Sequence, residues 1–159
     1  MRERQSGFSL IELLVVVAII LIIAAIAIPN FMRAKISANE SSAVSSVHAI
    51  DTAEITYSSV YSGIGFSASL LDLGNGGTVP CPATYNASCF IDDVLASGTK
   101  SGYNFIYTQD ATSTPSIGFT INANPVSPNI TGQRGFYSDQ SNVIRAEPTA
   151  PATMSSPPL

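Results

Sequence analysis

The stretch FSLIELLVVVAIILIIAAIAIPN, residues 8 to 30, decides how the rest of the chain is read. From Phe8 to Ile28 only Ser9 and Glu12 carry polar side chains. As an α-helix rising roughly 1.5 Å per residue, the run covers about 30 Å, the hydrocarbon thickness of a bilayer. Leu, Val, Ile and Ala occupy every side of it, so no polar face marks it as a surface helix of a water-soluble domain. Pro29 removes a backbone donor and crowds the preceding turn, which predicts a kink there without requiring the helix to end.

Upstream, residues 1–7 (MRERQSG) form a short head containing Arg2 and Arg4, the layout of a targeting leader. Downstream of Arg33 and Lys35, the apolar positions Ala43, Val47, Ile50, Tyr57 and Tyr61 recur at three-, four- and seven-residue spacings. The pattern predicts one helix over residues 8–60, with 8–28 transmembrane and 29–60 amphipathic. Glu54 interrupts the stripe, and Ser, Thr and Asn are mediocre helix formers, so the second half needs something to pack against. Such a helix is roughly 80 Å long, so half of it is expected to protrude from a domain of this size.

From Gly63 the signals change to turns. Gly65, the Gly74 to Gly77 cluster, Pro80 and Pro82 predict a connecting loop. Strands are expected at Tyr103 to Thr108, Ile117 to Asn122, Gly135 to Ser138 and Val143 to Glu147, where β-branched and aromatic residues concentrate. Asp139, Gln140, Ser141 and Asn142 make a hairpin turn between the last two. The aromatics Tyr103, Phe105, Tyr107, Phe119, Phe136 and Tyr137 read as sheet packing. The fold class is therefore α+β, with a small antiparallel sheet in a head over residues 61–147, burying the stripe of the distal half-helix. Residues 148–159, with four prolines, read as a loose tail.

Composition narrows the function. Charged residues make up only 11% of the chain and its net charge is −4, so nucleic acid is not indicated as a partner. Cys81 and Cys89 are close enough to close a small loop in an exported, oxidised protein; a metal site would need more ligands, and the one histidine, His48, lies far upstream. Nucleophilic catalysis would want a base beside a serine or cysteine, yet His48 stands alone on a helix as a solvated or packing residue, so no enzyme activity is expected. Adjacent Asp92 and Asp93 read as a helix start or solvated turn, with calcium as the alternative. Asn39, Asn86 and Asn129 each open an N-x-S/T triplet, a near-chance event in so Ser- and Thr-rich a chain.

Glu12 is the informative residue. An ionisable group inside an apolar span costs roughly 2.5 to 3.5 kcal/mol by insertion scales and needs a partner, and the span offers no cation. A cut after Gly7 would create a free amine on Phe8, four residues from Glu12. In a filament that amine can meet a neighbour's carboxylate, a pair that sets register more than stability.

The segment GFSLIE, Gly7 to Glu12, with the apolar run through Pro29 and Asn30, resembles the cleavage and methylation motif of type IV prepilins and pseudopilins. The resemblance implies that prepilin peptidase cuts between Gly7 and Phe8, that Phe8 is N-methylated, and that Glu12 directs docking into a growing filament. It implies a precursor held once across the inner membrane, an inner-membrane assembly platform as partner, and a homopolymeric filament outside the cell or in the periplasm. It also implies a long helix packed at its distal half on an antiparallel sheet. Pseudopilins resembling this chain can bind calcium in their heads; otherwise no cofactor is expected.

Two features depart from the family pattern. Leu21 stands where many members have a glycine, and Cys81 and Cys89 sit in the connecting loop rather than near the C-terminus. The competing reading is a secretory signal peptide cleaved after Ala27, which leaves Glu12 and the Gly7–Phe8 boundary without purpose. A plain membrane anchor leaves Glu12 unpaired. Arg2 and Arg4 balance Arg33 and Lys35, so charge does not orient the span.

Overall fold

The computed structural model describes residues 8–76, 80–149 and 151–159. The expected leader, including Gly7, lies outside them, as does Gly77 of the glycine cluster. Helix α1 runs Leu10–Val60, 51 residues without a break. It starts two residues later than expected because Ser9 takes the position before it: the Ser9 carbonyl accepts from Leu13 N at 3.2 Å, and serine favours that half-in cap. Pro29 is inside the helix, and Asn30 Nδ2 adds a bond to the Ile26 carbonyl one turn back.

The chain divides into two compact units, 1–35 and 36–159. The head was expected to begin at residue 61, after the helix. Instead it takes in α1 from Ile36, because that half of the helix supplies one wall of the core.

In the second unit a five-stranded antiparallel sheet has strands in sequence order: β1 (Thr99–Lys100), β2 (Tyr103–Gln109), β3 (Phe119–Pro125), β4 (Gly135–Asp139) and β5 (Arg145–Glu147). Two one-turn helices precede it, α2 (Leu70–Leu73) and α3 (Asp93–Ala96). Four strands fall near their expected places, while β1, α2 and α3 are too short to show a period. The third strand begins at Phe119 rather than Ile117 because the flanking groups are already engaged. Ser116 N donates to Ile64 O, and Gly118 O accepts from Asp110 N, each at 2.8 Å.

Alternation along the strands aims one set of side chains at α1. Tyr103 and Phe105 from β2, Phe119, Ile121 and Ala123 from β3, and Phe136 from β4 close over Ala43, Val47, Ile50, Ala53 and Tyr57 of the helix. Phe66 meets Phe119 edge-on at 4.8 Å between ring centroids, and Tyr107 stacks on the same ring at 5.9 Å. Gly132 is required where it is, since a Cβ there would run into the Tyr103 ring, whose hydroxyl donates to Arg134 O at 2.9 Å.

The tail is not loose. Ala146 N donates to Pro157 O and Leu159 N to Ile144 O, each at 3.0 Å, so the last residues run antiparallel to β5. Arg145 Nη1 also donates to Ser156 O, and Ser156 Oγ to Glu147 Oε2. Prolines lack a donor but keep their carbonyls, which suffices to answer the free N–H groups of an edge strand. Ala152 is buried at 1% exposure.

Replacing Ile50, fully buried, with Ala should cost about 2 to 5 kcal/mol of head stability. Ile55→Ala, on the opposite, exposed side of α1, should stay within about 0.5 kcal/mol. Denaturant unfolding of the detergent-solubilised protein, followed by circular dichroism, measures both.

Candidate assembly site

From Phe8 to Ile28 the chain presents an apolar surface with one ionisable side chain, Glu12, near its start. Phe8, Leu10, Ile11, Leu13 and Leu14 are all more than half exposed, and no residue of the most apolar part of the helix is buried within the chain. Glu12 lies in the first turn of α1, where the unpaired N–H groups of the helix end favour a negative charge. Among the described residues neither salt bridge involves Glu12. Phe8 is 79% exposed, so the described side of the expected cleavage boundary is accessible. Pro29 lies further along the same exposed stretch.

The head anchors α1 by carboxylates that pattern reading passed over. Glu40 accepts from Gln133 N at 2.9 Å, Arg134 N at 3.2 Å and Arg134 Nε at 2.8 Å, tying the helix to the approach to β4. Burial pushes its pKa up, but the Gln133 amide and the Arg134 guanidinium outweigh that and hold it below the usual value. Asp51 accepts from Ser138 Oγ at 2.7 Å, while its Oδ1 is buried with no partner among the described residues. Burial pushes Asp51 up to about 6 against the pull of Ser138 and His48. Glu54, which looked like an interruption of the stripe, is fully buried and bonded to Ser67. All three lie at helical spacings from Ala43 and Val47, the one sign in the sequence that they face inward.

Cys81 and Cys89 are bonded to each other. The hydroxyls of Tyr57 and Tyr61 hold the same loop, donating to Tyr85 O at 2.8 Å and Ala83 O at 3.2 Å. Asp92 is the cap of α3: its Oδ1 accepts from Leu95 N at 3.0 Å and its Oδ2 from Lys100 Nζ at 2.7 Å. Asp93 Oδ1 accepts from Asn75 N at 3.1 Å. Among the described residues no three His, Cys, Asp or Glu side chains gather as a metal-binding group. His48 is exposed, with the Thr52 hydroxyl 3.4 Å from its Nδ1.

The prokaryotic N-terminal methylation motif matches residues 2–28. Over 119 residues the chain is 34% identical to the type IV major pilin protein PilA of Myxococcus xanthus, a match covering 62% of this chain and 54% of that one. It is 42% identical over 52 residues to type II secretion system core protein G of Aeromonas hydrophila, covering 33% of this chain and 36% of that one. A fimbrial protein of Pseudomonas aeruginosa is 38% identical over 113 residues, 63% of this chain and 73% of that one. The chain thus spans about half the length of the Myxococcus pilin and about a third of the Aeromonas protein. No solved structure matches it.

An apolar N-terminal helix with an acid in its first turn, running on into a helix packed against an antiparallel sheet, defines a pilin-like subunit. The methylation motif and the relatives that extend past the motif specify the group more narrowly. The chain belongs to the family of type IV pilins and pseudopilins.

Opening the Cys81–Cys89 bond with Cys81→Ser plus Cys89→Ser should cost about 2 to 3 kcal/mol for so short a loop. The comparison is the unfolding midpoint of the double variant against the parent under non-reducing conditions.

Proposed function

We propose that this chain is a structural subunit of a type IV pilus filament, processed by prepilin peptidase and assembled through its N-terminal helix. The observation that carries the reading is the unburied apolar surface from Phe8 onward, interrupted by the single acid Glu12. Before assembly, lipid covers that surface and the chain rests across the inner membrane. Cleavage between Gly7 and Phe8 frees an amine that is then N-methylated and stays cationic. An assembly platform in the inner membrane feeds the subunit into a bundle where other copies replace lipid around the helix. There the Phe8 amine of one copy meets Glu12 of the next. Burying both charges offsets much of their attraction, so the pair selects a register among otherwise equivalent apolar packings. Pro29 gives the helix a place where the missing N–H lets it adjust to its neighbours.

The second reading, a pseudopilin of a type II secretion system, is favoured by the 42% identity to the Aeromonas protein. That match spans 52 residues, 33% of this chain. The pilin and fimbrial relatives cover 62% and 63%, which includes part of the head. Long surface fibres containing this protein support the first reading, and a secretion defect on deletion without such fibres supports the second. The relatives are named as pilin, fimbrial and secretion-system proteins rather than by a reaction, in keeping with a subunit that has no turnover of its own.

Sequencing the mature protein should return Phe8 as the first residue; Ile28 would point to signal-peptide cleavage after Ala27. Glu12→Ala should insert into the membrane at least as well as the parent, since it removes a cost of roughly 2.5 to 3.5 kcal/mol, while its incorporation into sheared filaments drops severely. Parental levels of the variant in filaments would defeat the docking role.

A further inference from the structure

A strand at the edge of a sheet exposes unpaired N–H and C=O groups on which another strand can dock. At one edge of this sheet β1 is two residues long and ends in Lys100, whose ammonium is held by Asp92 at 2.7 Å. At the other, β5 would lie open without the residues that follow it. Ala146 N donates to Pro157 O and Leu159 N to Ile144 O, and these two bonds flank the facing pair Arg145 and Pro158. In an antiparallel ladder the backbone groups of a pair flanked in this way turn away from the partner strand. Pro158 therefore faces outward, where it has a carbonyl but no N–H. Two residues back, Ser156 faces outward as well, with its N–H taken by Thr153 O at 3.0 Å and its carbonyl by Arg145 Nη1 at 3.0 Å. A further strand finds no donor to pair with at either position.

Ser156 also occupies both charged side chains of β5. It is buried; its carbonyl accepts from Arg145 Nη1, and its hydroxyl donates to Glu147 Oε2 at 3.0 Å while accepting from Thr153 N at 3.0 Å. Without the segment, Arg145 and Glu147 stand free beside an open edge whose outward-facing residues are Ile144 and Ala146. A second copy of β5, laid antiparallel with Ala146 opposite Ala146, exchanges both backbone bonds between the two alanines. The same register sets Arg145 of each copy directly opposite Glu147 of the other, so two pairs of opposite charges meet across the contact. Centring the pair on Arg145 instead would set like charges against each other. The edge under the segment is thus complementary to itself in one register, about a twofold axis.

We propose that residues 151–159 are an edge guard: docked on β5, they keep one head from joining its sheet to the next, and with them removed β5 pairs antiparallel with β5 of a second copy, centred on Ala146. A copy of this chain is the fitting occupant because the two charges of the edge answer each other only when the edge meets itself. Pro157 and Pro158 suit the guard, since they accept from β5 without passing the ladder on. The inference concerns the head alone and holds for either reading of the filament.

The test compares the full chain in detergent with a chain ending at Glu147; α1 is common to both, so association through the span cancels. Light scattering over a concentration series should show the shortened chain doubling in mass where the parent does not. In the shortened background Arg145→Glu should weaken that pairing about tenfold, and Arg145→Glu together with Glu147→Arg should restore it, because the opposed charges are then exchanged. A shortened chain that is folded by circular dichroism yet follows the parent's mass profile overturns the proposal. Pairing indifferent to Arg145→Glu overturns it too, since the contact then lies elsewhere. Should the shortened chain not fold, Ser156→Ala in the full chain decides. That change frees the Glu147 carboxylate and the Thr153 amide, so the Ala146 amide should exchange its hydrogen with solvent about fivefold faster. Exchange at the parent's rate overturns the guard role.

Discussion

The head rests on one packing constraint: the stripe of α1 from Ala43 to Tyr57 has no means of staying helical and dry unless a sheet covers it. Four of the ten residues between the stripe positions are Ser or Thr, which compete for backbone hydrogen bonds and give a helix little of its own stability. Tertiary burial has to supply the rest. Strands β2 to β4 do so with aromatic side chains at alternate positions, and their own inward face would be wet without the helix. Each element is the other's solvent, which is why the compact unit starts inside the helix at Ile36 rather than where the helix ends.

Within that interface three carboxyl groups replace apolar residues, and each is accommodated differently. Glu40 keeps its charge, with Arg134 and two amides converging on it. Glu54 has hydroxyl and amide donors and acidic neighbours. Asp51 lies between these cases, with one oxygen satisfied by Ser138 and the other buried alone. A buried polar group left without its partner costs more than a bonded one contributes, so these contacts act chiefly as selectors. They penalise any sliding of α1 along the sheet that would strand a carboxyl against Phe119 or Ile121. The apolar stripe supplies the attraction, and the acids fix where along the helix it applies.

Much of this architecture could be read from spacing. The long helix, the four longer strands and the inward aromatics follow from period and composition, because each has enough residues to display a repeat. β1, α2 and α3 have two to four residues and no period to detect. The tail was misread for a different reason. Proline content argues against donating to a ladder but says nothing of accepting, and β5 needed acceptors. Glu54 was taken as a break because acids are rarely buried, although its spacing placed it on the inner face. The partner that makes burial tolerable, Ser67, lies across a turn, and no local pattern announces it. At the N-terminus the situation is reversed: Phe8, Glu12 and Pro29 stood out at once in sequence, while the structure of a single chain adds only that they are exposed.

That exposure has its own logic. A run such as Leu13 to Ile28 standing open on every side would drive precipitation in water, since each fully buried Leu, Val or Ile side chain favours an apolar surrounding by about 1.5 to 3 kcal/mol. Lipid and a bundle of like helices both relieve the exposure, and to the aliphatic side chains the two are nearly equivalent. Glu12 is the residue to which they are not. In lipid a carboxyl finds neither water nor a cation, and it carries that cost as a charge or as a trapped proton. In a bundle a cation brought by another chain end can answer it. Glu12, in the first turn of the helix, is the only ionisable side chain from Phe8 to Ile28, so the difference between the two surroundings falls on it more than on any other residue of the run.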